Sequence, residues 1–305
     1  MTVMFKHILV PMDGSKLAEA ALPAARYIAD KFVAQVTLFH VVEKDAPSQV
    51  HGQKHLTSFE EARRYLEEVV QRWFQGVPQV ECHVHETETE LVPQSIIAHA
   101  AELGHDLVVM CSHGRGKAFH LLFGSIAQKV IAGGTLPVLI THPDEQGEPP
   151  PFACRQILVP LDTDPEHEKG LPVVRAVALA CSSELHIATV IPTYESLPPE
   201  EKVSARTLPS TASRMLEMEV RDASEHLDLL ARELTDAGIR TSSHVLRGDP
   251  AETIALAATE AKIDLMVLAT HGKTGMKAFW TGSVAHAICS RSRCPLLLVP
   301  ISEAS

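Results

Sequence analysis

The sequence predicts an α/β protein of two tandem open-sheet domains, each with a mostly parallel five-stranded sheet flanked by helices. Three observations predict it. One set of short motifs occurs twice, in the same order, along the 305 residues. Within each copy, short apolar runs alternate with helical patterns, as βαβ units require. Several of those runs are continuous Val, Ile and Leu, as expected for strands buried on both faces.

The repeat is explicit. His7-Ile8-Leu9-Val10-Pro11-Met12-Asp13 returns as Gln156-Ile157-Leu158-Val159-Pro160-Leu161-Asp162. Asp106-Leu107-Val108-Val109 returns as Asp264-Leu265-Met266-Val267, and Ser112-His113-Gly114 as Thr270-His271-Gly272. Gly124-Ser125 returns as Gly282-Ser283, and Leu136-Pro137-Val138-Leu139-Ile140 as Cys294-Pro295-Leu296-Leu297-Leu298. Thr141 to Phe152, rich in Pro, Glu and Gly, reads as the connection. The boundaries expected are a first domain at 1–143, a linker at 144–153 and a second domain at 154–305, with a length fitting two domains of ordinary size.

In the first copy the strands are expected at His7–Pro11, Val36–Val41, Val80–His85, Leu107–Cys111 and Val138–Thr141. Ser58-Phe59-Glu60-Glu61 is a capping box. Behind it Ala62, Tyr65, Leu66, Val69, Val70 and Trp73 share one helical face. Asp249-Pro250-Ala251-Glu252 places Asp at an N-cap and Pro at the first helical position. Glu90-Leu91-Val92-Pro93 builds the matching turn of the first copy differently. Gly104 and Gly238 mark helix ends. Pro23 lies inside the first helical pattern and is expected to bend it. Pro192 to Thr211, polar and Pro-containing, reads as a mobile loop.

Composition narrows the function. Hydrophobic residues make up 45% and charged residues 21%, ordinary for a globular chain. The formal net charge of −11 argues against nucleic-acid and anionic-membrane partners, which need a basic surface. No apolar run approaches the roughly 20 residues of a membrane span. The six cysteines, Cys82, Cys111, Cys154, Cys181, Cys289 and Cys294, form no CxxC pair. Free thiols and no leader pattern predict a cytoplasmic protein.

In an open parallel sheet, ligands bind beyond the carboxyl ends of the strands, where strand order reverses. Three features converge there in each copy. Pro11 to Ser15 follow strand one, with Asp13 placed either to face the crevice or to cap the next helix. Cys111-Ser112-His113-Gly114-Arg115-Gly116 follow strand four, and glycines there let backbone N–H groups approach a phosphate. Gly124-Ser125 opens the last helix, whose free N–H groups favour an anion. Taken alone, Ser125 reads as an ordinary N-cap. Nine residues separate Gly114 from Gly124, and nine separate Gly272 from Gly282, so the pair of turns is itself repeated.

On these motifs the chain resembles the universal stress protein family over essentially its whole length. That family opens with an Ile-Leu-Val-Pro-x-Asp strand and carries Gly-x-x-Gly, nine residues, then Gly-Ser or Gly-Thr. The resemblance implies a Rossmann-like domain that holds ATP or AMP, with Mg²⁺ on the phosphates. It implies that Pro11, Asp13, Ser112, His113, Gly114, Arg115, Gly124 and Ser125 line the first site. Asp162, Thr270, His271, Gly272, Lys273, Gly282 and Ser283 would line the second. Backbone near Val41 or Val190 would face the adenine. It also implies that the last strands, Pro137–Thr141 and Pro295–Pro300, pair the two domains within one chain, with a homodimer of the fused chain as a further step. The pattern departs at Cys111 and Ala269, where the family has its first glycine, and at Asp162-Thr163-Asp164, which adds carboxylates.

Catalytic signatures are missing: no P-loop, no dinucleotide fingerprint and no nucleophile elbow. The resemblance implies a stress-response nucleotide-binding sensor or adaptor, in which any turnover of ATP would be slow. The rival readings are a scaffold with vestigial pockets and a slow ATPase that phosphorylates itself. Cys111 as a reactive thiol would need a depressed pKa. His83 and His85 share a strand face, but a pair lacks the three or four ligands of a stable metal site, so no metal residue is assigned. His51 and His55 sit before a helix and carry no assignment.

Overall fold

Strand one forms where the repeat places it, because Ile8, Leu9 and Val10 can be buried only inside a sheet covered on both sides. A computed structural model describes residues 5–43, 49–50, 53–86, 91–112, 124–162, 165–271, 287–288 and 291–301. The chain divides into two packed units, the first taking Met1–Ala153 with the last strand, the second beginning at Cys154.

In the first unit β1 (His7–Pro11), β2 (Gln35–Val42), β5 (Val80–Glu86), β6 (Leu107–Cys111) and β7 (Val138–Thr141) are all parallel, in the order β5-β2-β1-β6-β7. Strand order therefore reverses beside β1, the position where such sheets open a crevice. β3 (Gln49–Val50) and β4 (Gln53–Lys54) form a separate antiparallel pair. Helices α1 (Leu22–Phe32) and α2 (Phe59–Trp73) pack together, as do α3 (Val92–Glu102) and α4 (Ser125–Gly133). The pairs cover opposite faces. Cys82 of β5 senses Arg63 and Glu67 of α2, whereas its neighbours His83 and His85 meet His99 of α3.

The caps follow the sequence closely. Ser58 Oγ accepts from the Glu61 amide at 3.3 Å. The return arm of the box is displaced, the Glu61 carboxylate accepting from the Thr57 amide at 3.4 Å. Ala62, Leu66 and Val69 are buried, while Tyr65 donates to Glu19 Oε1 at 3.3 Å beside Arg72. Pro23 does not bend a helix. The chain first makes a 3₁₀ turn over Ala18–Ala21, and α1 starts at Leu22, so Pro23 falls in the first helical turn, where its missing N–H costs nothing.

In the second unit β8 (Gln156–Pro160), β9 (Glu184–Ile191), β10 (Thr241–Arg247) and β11 (Leu265–His271) are parallel, in the order β10-β9-β8-β11. A 3₁₀ turn at Pro165–Gly170 leads into α5 (Leu171–Cys181), repeating the first unit. The loop expected over 192–211 is instead largely helical, a correction. α6 (Pro199–Thr207) and α7 (Pro209–Asp236) occupy it, each with Pro in its first turn, so the prolines that read as loop markers start helices. Ala223, Leu227, Leu230 and Leu234 bury the later half of α7. α8 (Pro250–Glu260) begins behind the Asp249 cap, which accepts from the Glu252 amide at 2.9 Å. The last strand, β12 (Leu296–Ile301), runs antiparallel to β7, with Leu297 opposite Leu139.

One repeated residue has a purely architectural use. Asp106 accepts from the Lys6 and His7 amides at 2.7 and 3.1 Å, and Asp264 from the Arg155 and Gln156 amides at 2.8 and 3.0 Å. Each ties the entry of strand four to the entry of strand one.

Candidate functional site

The first crevice is built from the turn after β1. Met12 donates its amide to the Phe39 carbonyl at 2.8 Å, so β1 stays pinned to β2 one residue past its end. Asp13 Oδ1 accepts from the Ser15 amide at 2.9 Å, and the buried Ser15 Oγ accepts from the Ala18 amide at 3.2 Å. Capping is therefore one task of this turn. Gly14 stands at φ +84° between them, and a Cβ there would lie 2.8 Å from Leu56.

The Asp13 carboxylate also acts on its surroundings, pushing the buried His40 ring and the Cys111 thiol toward protonation. Burial is the larger influence on both. It holds His40 below the ordinary imidazole value and pushes the Cys111 thiol well above the thiol range. Cys111 is thus an inert buried thiol rather than a nucleophile, against the reactive reading. His40 Nδ1 lies 2.7 Å from the Met12 carbonyl oxygen, buttressing the turn from below. β2 runs on to Val42 after its ladder with β1 has ended at Phe39, so Val41, still paired with His85 of β5, lies beyond the described pairing on the β1 side.

Ser112 is buried and its hydroxyl lies 2.6 Å from His142 Nδ1, just beyond β7. Gly124, not Ser125, is the N-cap of α4, a correction to the reading of Ser125 as the cap. Ser125 is the first helical residue and is exposed, and among the described residues no side chain caps the helix. A helix N-terminus is where backbone amides can meet an anion.

The second crevice repeats the frame. Leu161 donates to the Ala188 carbonyl at 2.8 Å, matching Met12. β9 runs past its ladder with β8 to Ile191, leaving Val190 where Val41 stands in the first copy. Asp162 is exposed, Thr270 is buried and His271 ends β11. Ala269 packs toward Gly170, 3.1 Å from where a Cβ on that glycine would be, so its methyl group faces the turn before α5. His113, Gly114, Arg115, Gly272, Lys273, Gly282 and Ser283 lie outside the described residues.

The model of the universal stress protein family matches residues 4–142 and again 154–300. The chain belongs to the universal stress protein family. As a tandem member it is similar to the universal stress protein E homolog of Haemophilus influenzae, at 24% identity over 98% of both chains. It is 34% identical to universal stress protein MJ0531 of Methanocaldococcus jannaschii over 87 residues, which are 28% of this chain and 49% of that protein. The backbone is similar to that of a universal stress protein from Archaeoglobus fulgidus, with a TM-score of 0.69, 17% identity and 98% of each chain covered.

This universal stress protein also holds a cluster that sequence reasoning only half found. His99 on α3 joins His83 and His85, the three offering ligand atoms within 4.8 Å of one another. Burial, followed by the neighbouring imidazoles, lowers the pKa of both His83 and His85. The pair is visible in the strand alternation; its third member is not, because only the packing of α3 on β5 brings it in. His40 and His142 escaped for the same reason, being joined to Met12 and Ser112 across the sheet. No described helix is long and apolar enough to cross a membrane.

Proposed function

We propose that this universal stress protein binds an adenine nucleotide, ATP or AMP, in one or both crevices, and acts as a sensor or adaptor whose surface changes with occupancy. The observation that carries the reading is the repeated frame: an aspartate leaving strand one, a second strand that outruns its ladder with the first, and a strand-order reversal between strand one and its other neighbour. In the first copy the start of α4 at Gly124-Ser125 would supply the anion end of that frame. On this reading Asp13 and Asp162 face the nucleoside, backbone at Val41 and Val190 meets the adenine, and the turns after strand four hold phosphates with Mg²⁺. On the same reading the two domains span 1–143 and 154–305.

The test is a charge placed at the anion end. Gly124→Asp in the first copy and Gly282→Asp in the second set a carboxylate against the phosphates, a like-charge contact costing several kcal/mol. ATP affinity by titration calorimetry is expected to fall about tenfold or more at each altered copy. Unchanged affinity in the double variant contradicts the reading. A scaffold with vestigial pockets is favoured only by Cys111 and Ala269, which replace motif glycines. If that reading holds, restoring glycine at both leaves stress survival unchanged and nucleotide binding absent.

A further inference from the structure

We propose that His83, His85 and His99 form a site for a divalent transition-metal ion, Zn²⁺ being the ion that fits it best. The proposal is independent of the nucleotide reading. Its first support is chemical. Three imidazoles are the donor set of borderline metals, whereas Mg²⁺ and Ca²⁺ take oxygen ligands. Three protein ligands leave the fourth tetrahedral position to water.

The geometry is the second support. The ligand atoms lie within 4.8 Å of one another. Tetrahedral Zn–N bonds of about 2.0–2.1 Å bring neighbouring nitrogens to roughly 3.3 Å, a closure that small rotations of the half-exposed His83 and His85 rings supply. The rings of His85 and His99 already stand 4.2 Å apart, and those of His83 and His99 5.3 Å. His99 is pre-oriented: its Nδ1 lies 2.9 Å from the Ser95 carbonyl oxygen one turn back, which makes Nδ1 the donor and turns the lone pair of Nε2 outward. Phe39 floors the cluster, its ring stacked on His83 at 5.6 Å and tilted against His99 at 5.0 Å. An apolar floor under metal-bound imidazoles limits competing water.

The second unit is a built-in control. His83 pairs with Phe39 and His244 with Ala188, so register makes His244 the counterpart of His83 and Leu246 that of His85. Counting back from Asp106 and Asp264 makes Ala257 the counterpart of His99. The remaining His244 stacks on His186, whose nitrogens face Gln156 at 2.6 Å and Ser242 at 3.0 Å. That histidine pair is engaged by hydrogen bonds and, among the described residues, gains no third imidazole. Among the described residues one three-histidine site follows, a clamp between the edge strand β5 and α3.

The experiment uses the full chain stripped with EDTA and titrated with Zn²⁺ by calorimetry. One Zn²⁺ per chain is expected, lost in both His85→Gln and His99→Gln and retained in His244→Gln. Far-UV circular dichroism verifies that each variant is folded, and His85 sits on an edge strand, where Gln is tolerated. Co²⁺ on the wild-type chain gives a reading free of any variant, since a four-coordinate site shows the strong visible absorption that a six-coordinate surface ion lacks. No Zn²⁺ bound, Zn²⁺ bound equally by the His85 and His99 variants, or a six-coordinate Co²⁺ spectrum would each overturn the proposal.

Discussion

Asp106 and Asp264 look alike in the sequence and do the same work in the structure, each accepting two backbone amides at the start of strand one. Their repetition was legible; their task was not, because it depends on amides about 100 residues away. Asp106→Ala is expected to destabilise the first unit by about 1–3 kcal/mol, since hydrogen bonds to a charged acceptor exceed neutral ones. A urea melt of the variant checks this, and an unchanged midpoint contradicts it. His40 gives the pH dependence its sign. Burial lowers its folded pKa below 6.5, so the unfolded chain takes up the proton first as pH falls. The contribution is complete above the unfolded value and is lost as pH falls below it. His105 is shifted in the same direction, also mainly by burial. Melting temperature should therefore drop between about pH 7.5 and pH 5.5, and His40→Gln should flatten that slope. A melting temperature that rises over this range would refute the assignment.

Elements were read well wherever the signal is local. The capping box at Ser58 and the Asp249-Pro250 start are contained in four consecutive residues, and both helices begin where those residues place them. Ser58→Ala and Asp249→Ala should each cost about 1 kcal/mol, by loss of one cap hydrogen bond. Thermal melts of the two single variants measure it, and a gain in stability in either contradicts the cap. Proline misled twice, and for one reason. At Pro23, and at Pro199 and Pro209, it lies in the first turn of a helix, where a residue without an N–H is favoured. Read from sequence, the same residue marks a bend or a loop; only the position of the helix start decides between them. Glycine misled less, since Gly104 and Gly238 take positive φ just past α3 and α7 as expected.

At the scale of the whole chain, duplication was the strongest signal, because a repeated order of motifs is hard to produce except by repeating a fold. It gave the strands of the first copy nearly to the residue and the parallel frame of both units. The turns that carry Asp13 and Asp162 at the end of strand one were legible, while the histidines that buttress or neighbour them were not, and most of the glycine spacing lies outside the described residues. Those side chains meet across strands and helices far apart in sequence, and the hydrophobic pattern that sets strands and helices says nothing of polar pairs between them. On the proposed function the repeated frame holds an adenine nucleotide. The most direct measurement is the nucleotide content of the protein as purified, released by denaturation and separated, followed by calorimetry with ATP and Mg²⁺. One or two adenine nucleotides per chain are expected, or heat of binding once ATP is supplied. No released nucleotide together with no heat of binding would contradict the proposed function.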